Sequence, residues 1–228
     1  MVISHRFLVI AALFVTCLIT ANIIIAKQIS IGGLILPAAI IIFPLSYIFG
    51  DILTEVYGYQ QARRVIWLGF LCNLVAVAAI FIGQILPPAP IFEAQSAYER
   101  ILGSTPRFLL ASFVAYLAGE FANSYILAKM KVKTRGRWLW TRTIGSTLVG
   151  QGLDTVIVLA IAFGGVLPLP VLSNMMLSHW LVKTAYETVA TPFTYGIVTY
   201  LKRKEGIDVY DYETDFNPLR FGWMRNKA

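Results

Sequence analysis

Charge is scarce in this chain: only 14% of its 228 residues are Asp, Glu, Lys or Arg. Soluble domains usually hold about 25%, so too little polar surface remains here to keep a soluble domain dissolved. Cysteine is rarer still. Cys17 and Cys72 both fall inside apolar runs and read as small buried hydrophobes, with no disulfide implied. Histidine occurs twice, and no H-E-x-x-H, G-x-S-x-G or G-x-x-x-x-G-K-[ST] string is found. Nothing therefore supports a zinc or serine hydrolase, or a nucleotide-binding P-loop in this chain. No metal and no cofactor is expected.

What is present is apolar. Hydrophobic residues make up 57% of the chain, and the mean hydropathy is +0.70. The expected fold class is an all-α integral membrane protein. Crossing the hydrocarbon takes about 20 mainly apolar residues, and six such spans are read at 6–27, 36–57, 65–86, 107–128, 143–166 and 174–200. They form a transmembrane domain over 1–201, followed by a polar cytoplasmic tail over 202–228. The apolar N-terminal run is longer than the core of a cleaved signal and lacks a clean cleavage site, so it reads as a retained first helix. The third loop, PPAPIFEAQSAYERILGSTP, has room for a short helix between its prolines.

The net charge of +7 points to a membrane surface rather than to nucleic acid, because the charges sit at the ends of apolar spans. Arg6, Arg63, Arg64, Lys129, Lys131, Lys133, Arg135, Arg137, Arg142, Lys202, Arg203, Lys204, Arg220, Arg225 and Lys227 fall on one side. Lys27, Arg100 and Arg107 fall on the other. The positive-inside rule then makes both termini cytoplasmic. Trp138 and Trp140 suit an interfacial belt. ANIIIAK at 21–27 resembles ANSYILAK at 122–129, and GDILTEV at 50–56 resembles GQGLDTV at 150–156. Equivalent spans run in opposite directions, which hints at an inverted repeat of three plus three helices.

The polar residues inside the spans carry the functional signal. At the bilayer centre an ionised side chain costs roughly 2.5–3.5 kcal/mol even on the lower scales, so each needs a reason. Tyr47, Asp51 and Glu55 form one helical stripe; Tyr116, Glu120 and Asn123 form another. Thr147, Gln151 and Asp154 share a face, as do His179, Lys183 and Glu187. At about 1.5 Å per residue, Asp51 and Glu120 lie roughly 10 Å and 13 Å inside the cytoplasmic boundary. Such groups do not face lipid; they converge on a bundle interior or a wet cavity. Lys183 is expected to pair with Glu187 or Asp51. Glu55 lies near the boundary, where Arg63 or Arg64 is within reach, and together with Asn22 it is a gate candidate. Pro44 and Pro192 would loosen the helices beside the acids. The plain alternative is that these groups only glue helices together, at about 0.6–2 kcal/mol each.

Aromatic residues flank the acids, among them Tyr47, Phe121 and Tyr186. A flat heterocycle could stack on such rings while carboxylates and amides read its N–H edge. Four strings in order, FPLSYIFGDILTEVYGYQQARRVIW, GEFANSYILAKMK, LWTRTIGSTLVGQGLDT and VKTAYETVATPFTY, resemble the bacterial queuosine precursor transporters of the vitamin-uptake-transporter family. The resemblance extends from Asn22 to Tyr195. It implies inner-membrane uptake of 7-cyano-7-deazaguanine, and of the aminomethyl form, for tRNA modification, by six helices without an ATPase of their own. It also implies that the motif acids and amides Asp51, Glu55, Glu120, Asn123, Gln151, Asp154, Lys183 and Glu187 are the positions at the substrate site, where Tyr47, Phe121 or Tyr186 is expected to stack on the ring. Beside a secondary transporter stand two alternatives. One is a substrate-capturing subunit that borrows an ATPase module, docked through Ala12, Thr16 and Thr20. The other is an intramembrane enzyme with Asp51 and Asp154 as an acid pair. The expected partners are the deazapurine and membrane lipid, and small-residue faces are compatible with a homodimer.

Overall fold

A computed structural model describes residues 4–31, 34–103 and 106–219. Arg220, Arg225 and Lys227, part of the charge asymmetry above, lie outside the described residues. Helix α1 (His5–Ile24) starts where the Ser4 hydroxyl accepts the Phe7 N–H at 3.1 Å, satisfying one of the free donors of the first turn. Strands β1 (Gln28–Ile31) and β2 (Leu34–Pro37) pair antiparallel, and a single 3-10 turn (Ala38–Ile41) leads into helix α2 (Phe43–Tyr57). Helices α3 (Tyr59–Ile85), α4 (Gln95–Leu102), α5 (Pro106–Lys133), α6 (Leu139–Phe163) and α7 (Leu169–Glu205) follow.

Five segments are long and apolar enough to cross a membrane, namely α1, the 3-10 turn joined to α2, α3, α4 joined to α5, and α6. The 37-residue α7 coincides with the sixth expected span, though His179, Lys183 and Glu187 dilute its apolar character. The second span differs from the 36–57 expected. Its first residues are drawn into the hairpin, so the helix begins only at Phe43. The short helix expected in the third loop is α4.

Side chains are distributed the wrong way round for a water-soluble protein. Val75, Ile85, Val189 and Phe193 stand 61–74% exposed, while Asp51, Glu55, Glu120 and Gln151 are completely enclosed. An apolar exterior around a polar interior is what lipid as a solvent selects. This is a multi-pass membrane protein.

Two backbone features set the packing. Between α2 and α3, Gly58 adopts φ 82°, a left-handed region that side-chain-bearing residues avoid; a Cβ there would also lie 2.6 Å from Val209. This turn lets α3 fold back beside α2. Midway along α5 and α6, Gly119 and Gly150 meet. A Cβ on Gly119 would fall 3.0 Å from the Gly150 carbonyl oxygen, and one on Gly150 would fall 2.7 Å from Asn123 Cβ. Small residues at such a crossing let helix backbones approach closely, and α5 and α6 share the most extensive interface of any helix pair.

The start of α1 and the end of α7 lie at the same end of the bundle, where Arg6 donates to Glu205 at 3.1 Å. We refer to this as the terminal end. The chain then doubles back across it. Asp211 accepts the Tyr59 backbone N–H at 3.0 Å, Arg63 donates to the carbonyls of Asp215 and Asn217, and Trp67 donates to the Pro218 carbonyl. Phe216 packs against Tyr59 and Tyr125, with the Lys129 ammonium 4.2 Å from its ring centre. Residues 206–219 thus form a strap over the ends of α2, α3 and α5.

Candidate functional site

Four helices deliver polar groups to one buried locus. From α2 come Tyr47 and Asp51, from α5 Glu120 and Asn123, from α6 Gln151 and Asp154, and from α7 Lys183 and Glu187. All but Lys183, whose side chain is 13% exposed, are buried. The absence of side chains at three glycines makes the meeting possible. A Cβ on Gly50 would lie 3.1 Å from Glu120 Oε2, so the Glu120 carboxyl rests directly on α2. A Cβ on Gly119 would lie 2.6 Å from the Tyr47 hydroxyl and 2.9 Å from Asp154 Cβ, so Tyr47 and Asp154 meet across α5. Gly150 does the same for Asn123.

Some of these groups have partners. The Asn123 amide donates to Asp51 Oδ1 at 2.7 Å. Lys183 donates to Asp154 Oδ2 at 2.7 Å and lies 4.6 Å from the Phe43 ring centre. The expected pairing of Lys183 with Glu187 or Asp51 is therefore corrected to Asp154, because α7 packs against α6 with Lys183 level with the Asp154 turn.

Others have none. Both carboxyl oxygens of Glu120, both of Glu187, Asp51 Oδ2, the Tyr47 hydroxyl, and both the oxygen and nitrogen of the Gln151 amide lack a hydrogen-bond partner among the described residues. Buried polar atoms are nearly always paired, so each exception calls for an explanation. A bland scaffold of interhelical glue would have used these groups up. Instead, carboxyl oxygens of Asp51, Glu120 and Glu187 and the Asn123 carbonyl oxygen stand unpartnered at one locus beside the Gln151 amide, which can both donate and accept. Chemically, the arrangement is suited to receiving several N–H donors from a single small molecule.

Other expected site residues sit elsewhere. Phe121 packs on Trp67 of α3, with ring centres 5.9 Å apart, on a face of α5 away from Glu120. The Tyr186 hydroxyl donates to the Ile41 carbonyl at 3.4 Å. Asn22 donates to Asn73 at 3.0 Å, where α1 meets α3, beside an apolar cleft lined by Ile19, Val77, Phe81 and Phe113. Among the described residues, no cluster has the make-up of a metal site.

Glu55 belongs to a second constellation one turn nearer the terminal end. It does not pair with Arg63 or Arg64. Its Oε1 accepts from Arg142 of α6 at 2.8 Å and from Lys202 of α7 at 2.6 Å, with Lys131 of α5 at 3.8 Å. Lys131 also donates to the Glu55 carbonyl at 2.5 Å and to Asp208 at 2.6 Å, and Lys202 lies 2.9 Å from Asp208. The correction has a geometric cause. Arg63 is on the far side of the Gly58 turn, where it holds the strap, whereas α5 and α7 pack directly on α2 and Arg142 reaches Glu55 from α6. Reading Arg142, Lys131 and Lys202 only as loop charges hid this cluster. The signal was a spacing of four: residues 142, 146, 150 and 154 form one stripe along α6, with Asp154 at its other end.

Two comparisons with known proteins bear on this arrangement. A family model described as "Putative vitamin uptake transporter" matches residues 37–197. A curated protein of Bacillus subtilis (strain 168), described as "Probable queuosine precursor transporter", is 31% identical over 180 residues, covering 78% of either chain. No solved structure matches.

Proposed function

Because this chain belongs to the vitamin uptake transporter family, we propose that it imports deazapurine precursors of queuosine, 7-cyano-7-deazaguanine and its aminomethyl counterpart. The observation that supports this reading is the set of unpartnered acceptors at the buried locus. A guanine-type ring offers an exocyclic amino group and an adjacent ring N–H, two donors side by side that match a carboxylate held edge-on. Glu120 and Asp51 take these donors. Gln151 completes the edge by donating to the ring carbonyl, and Glu187 and the Tyr47 hydroxyl meet the remaining polar atoms. The Lys183–Asp154 pair borders the locus and holds α6 and α7 in register. The 31% identity to a relative named for queuosine precursors favours this substrate class over other vitamins.

Transport by the lone chain as a secondary transporter of the bacterial inner membrane, with both termini cytoplasmic, is part of the same proposal. So is an inverted repeat relating α1–α3 to α5–α7. Its support is that residues 50–56 of α2 and 150–156 of α6, the matching strings, both border the acid cluster. Neither half encloses the site alone.

The test is uptake by a queuosine-auxotrophic cell that lacks its own transporter, supplied with each precursor separately. The wild-type chain should restore queuosine in tRNA. Glu120→Gln and Asp51→Asn should each lower uptake by roughly 100-fold, as expected when buried hydrogen bonds to a charged group are lost, with unchanged protein in the membrane. Wild-type uptake by both variants would overturn the assignment.

A further inference from the structure

The strap over residues 206–219 crosses the terminal end of the bundle at the point where the Glu55 cluster sits. Glu55, Lys131, Arg142 and Lys202 come from α2, α5, α6 and α7, the same four helices that supply the buried acids. Glu55 lies one helical turn from Asp51, so a solute leaving the acid cluster toward the terminal end must part these charges. Their pairing is also incomplete. Glu55 Oε2 and Arg142 Nε have no hydrogen-bond partner among the described residues although both side chains are buried. A purely structural ion cluster at such depth needs every proton and lone pair satisfied. A cluster that must break and re-form does not.

The strap contributes directly to this closure. Asp208 takes up Lys131 at 2.6 Å and Lys202 at 2.9 Å, and the Val209 carbonyl accepts from Lys131 at 2.6 Å. The Val209 N–H donates to the Val56 carbonyl at 3.3 Å, fastening the strap to the end of α2. Beyond these contacts it is anchored by Asp211, Arg63 and Phe216 as described above. Asp208 is thus the one member of the charge cluster that no membrane helix carries, and it bridges Lys131 of α5 to Lys202 of α7.

We propose that the C-terminal strap is the latch of a gate at the terminal end, in which Asp208 holds Lys131 and Lys202 together over the Glu55–Arg142 pair, and that release of the strap opens the path to the buried acids. The proposal rests on the transporter reading, since a gate has meaning only where a solute passes.

A reporter thiol reads the gate without any substrate. Ser124 is fully buried between the two constellations, where it accepts a hydrogen bond from Thr54 at 3.1 Å. In a chain carrying Ser124→Cys, Cys17→Ala and Cys72→Ala, a membrane-impermeant maleimide applied to vesicles of either orientation should react slowly. Adding Asp208→Asn should raise labelling from the terminal side roughly tenfold, the scale of losing charge-assisted hydrogen bonds. Arg63→Gln, which frees the strap at its other anchor, should do the same. Arg6→Gln, which breaks the outer contacts with Glu205 and Tyr200, should leave labelling unchanged. The latch is overturned if neither strap variant alters labelling, or if Arg6→Gln raises it equally. Should Asp208→Asn fail to reach the membrane, Arg63→Gln alone decides. Because no substrate enters this measurement, a failed uptake assay would overturn the substrate reading and leave the latch standing.

Discussion

At the scale of single residues, the contrast lies between acids that are paired and acids that are not. Asp154 has Lys183 at 2.7 Å, with both side chains nearly buried. Removing one member of such a pair strands the other charge, at a cost of about 3–5 kcal/mol, whereas removing both can be nearly neutral. We therefore expect Lys183→Met to lower the stability of the detergent-solubilised protein by about 3 kcal/mol, with Asp154→Asn in the same chain restoring most of it. Thermal unfolding of the single and double variants checks this. Additive losses would show that the two side chains act independently. Residue identities along the spans were legible in the sequence because an ionisable group in an apolar run stands out. Their partners were not, since a stripe on one helix says which face it uses and nothing of which neighbour it faces. Lys183 and Glu55 both illustrate this, each meeting a residue on another helix that composition ranked no higher than its rivals.

Among the elements, α2 is the one most shaped by local sequence. Apolar residues on both sides of Gly32 and Gly33 satisfy a membrane-span pattern and a hairpin pattern equally well, and the hairpin takes the first part of the segment. The strap was less legible still. Its sequence is polar and short, with no periodicity, and its order comes from contacts far away in the chain: Asp211 with Tyr59, Arg63 with the 215 and 217 carbonyls. These contacts give it a pH dependence. Burial alone would raise the Asp208 carboxyl, but hydrogen bonds from Lys131 and Lys202 outweigh this and hold it below the usual carboxylate range. A carboxyl depressed in the docked state favours docking fully above its free value of about 4. That contribution fades as pH falls through the depressed value. Relative to an exposed cysteine labelled under the same conditions, which corrects for the falling thiolate fraction, labelling of the Ser124→Cys reporter should rise on the acid side of about pH 4, and Asp208→Asn should remove this dependence. A pH response that persists in Asp208→Asn would assign it to another group.

For the whole molecule, the six long helices and the polar interior within an apolar shell were both readable from composition. What the sequence concealed was the ion cluster and strap at one end, because they join residues far apart in the chain, Lys202 and Glu55 147 positions apart and Arg63 and Asn217 154. The contact between Arg6 and Glu205 puts the start of α1 and the end of α7 at one end of the bundle, which fits the proposed topology of six crossings with both termini on one side. Reporter proteins fused before Met1 or after Ala228 should therefore give the same topological readout. Under the proposed orientation, in which the side rich in Lys and Arg is cytoplasmic, both fusions should report the cytoplasm. Opposite readouts from the two fusions would mean an odd number of crossings.

The glycine contact between α5 and α6 bears on how such a machine can move. With the two backbones in direct touch at Gly119 and Gly150, neither helix has room to rotate or slide past the other without a clash. The pair is in effect a single stiff plate carrying Glu120, Asn123, Gln151 and Asp154. On the transport reading proposed above, the rearrangement that admits and discharges a solute is expected around that plate, with α2, and α7 with its Pro192, as the walls free to move.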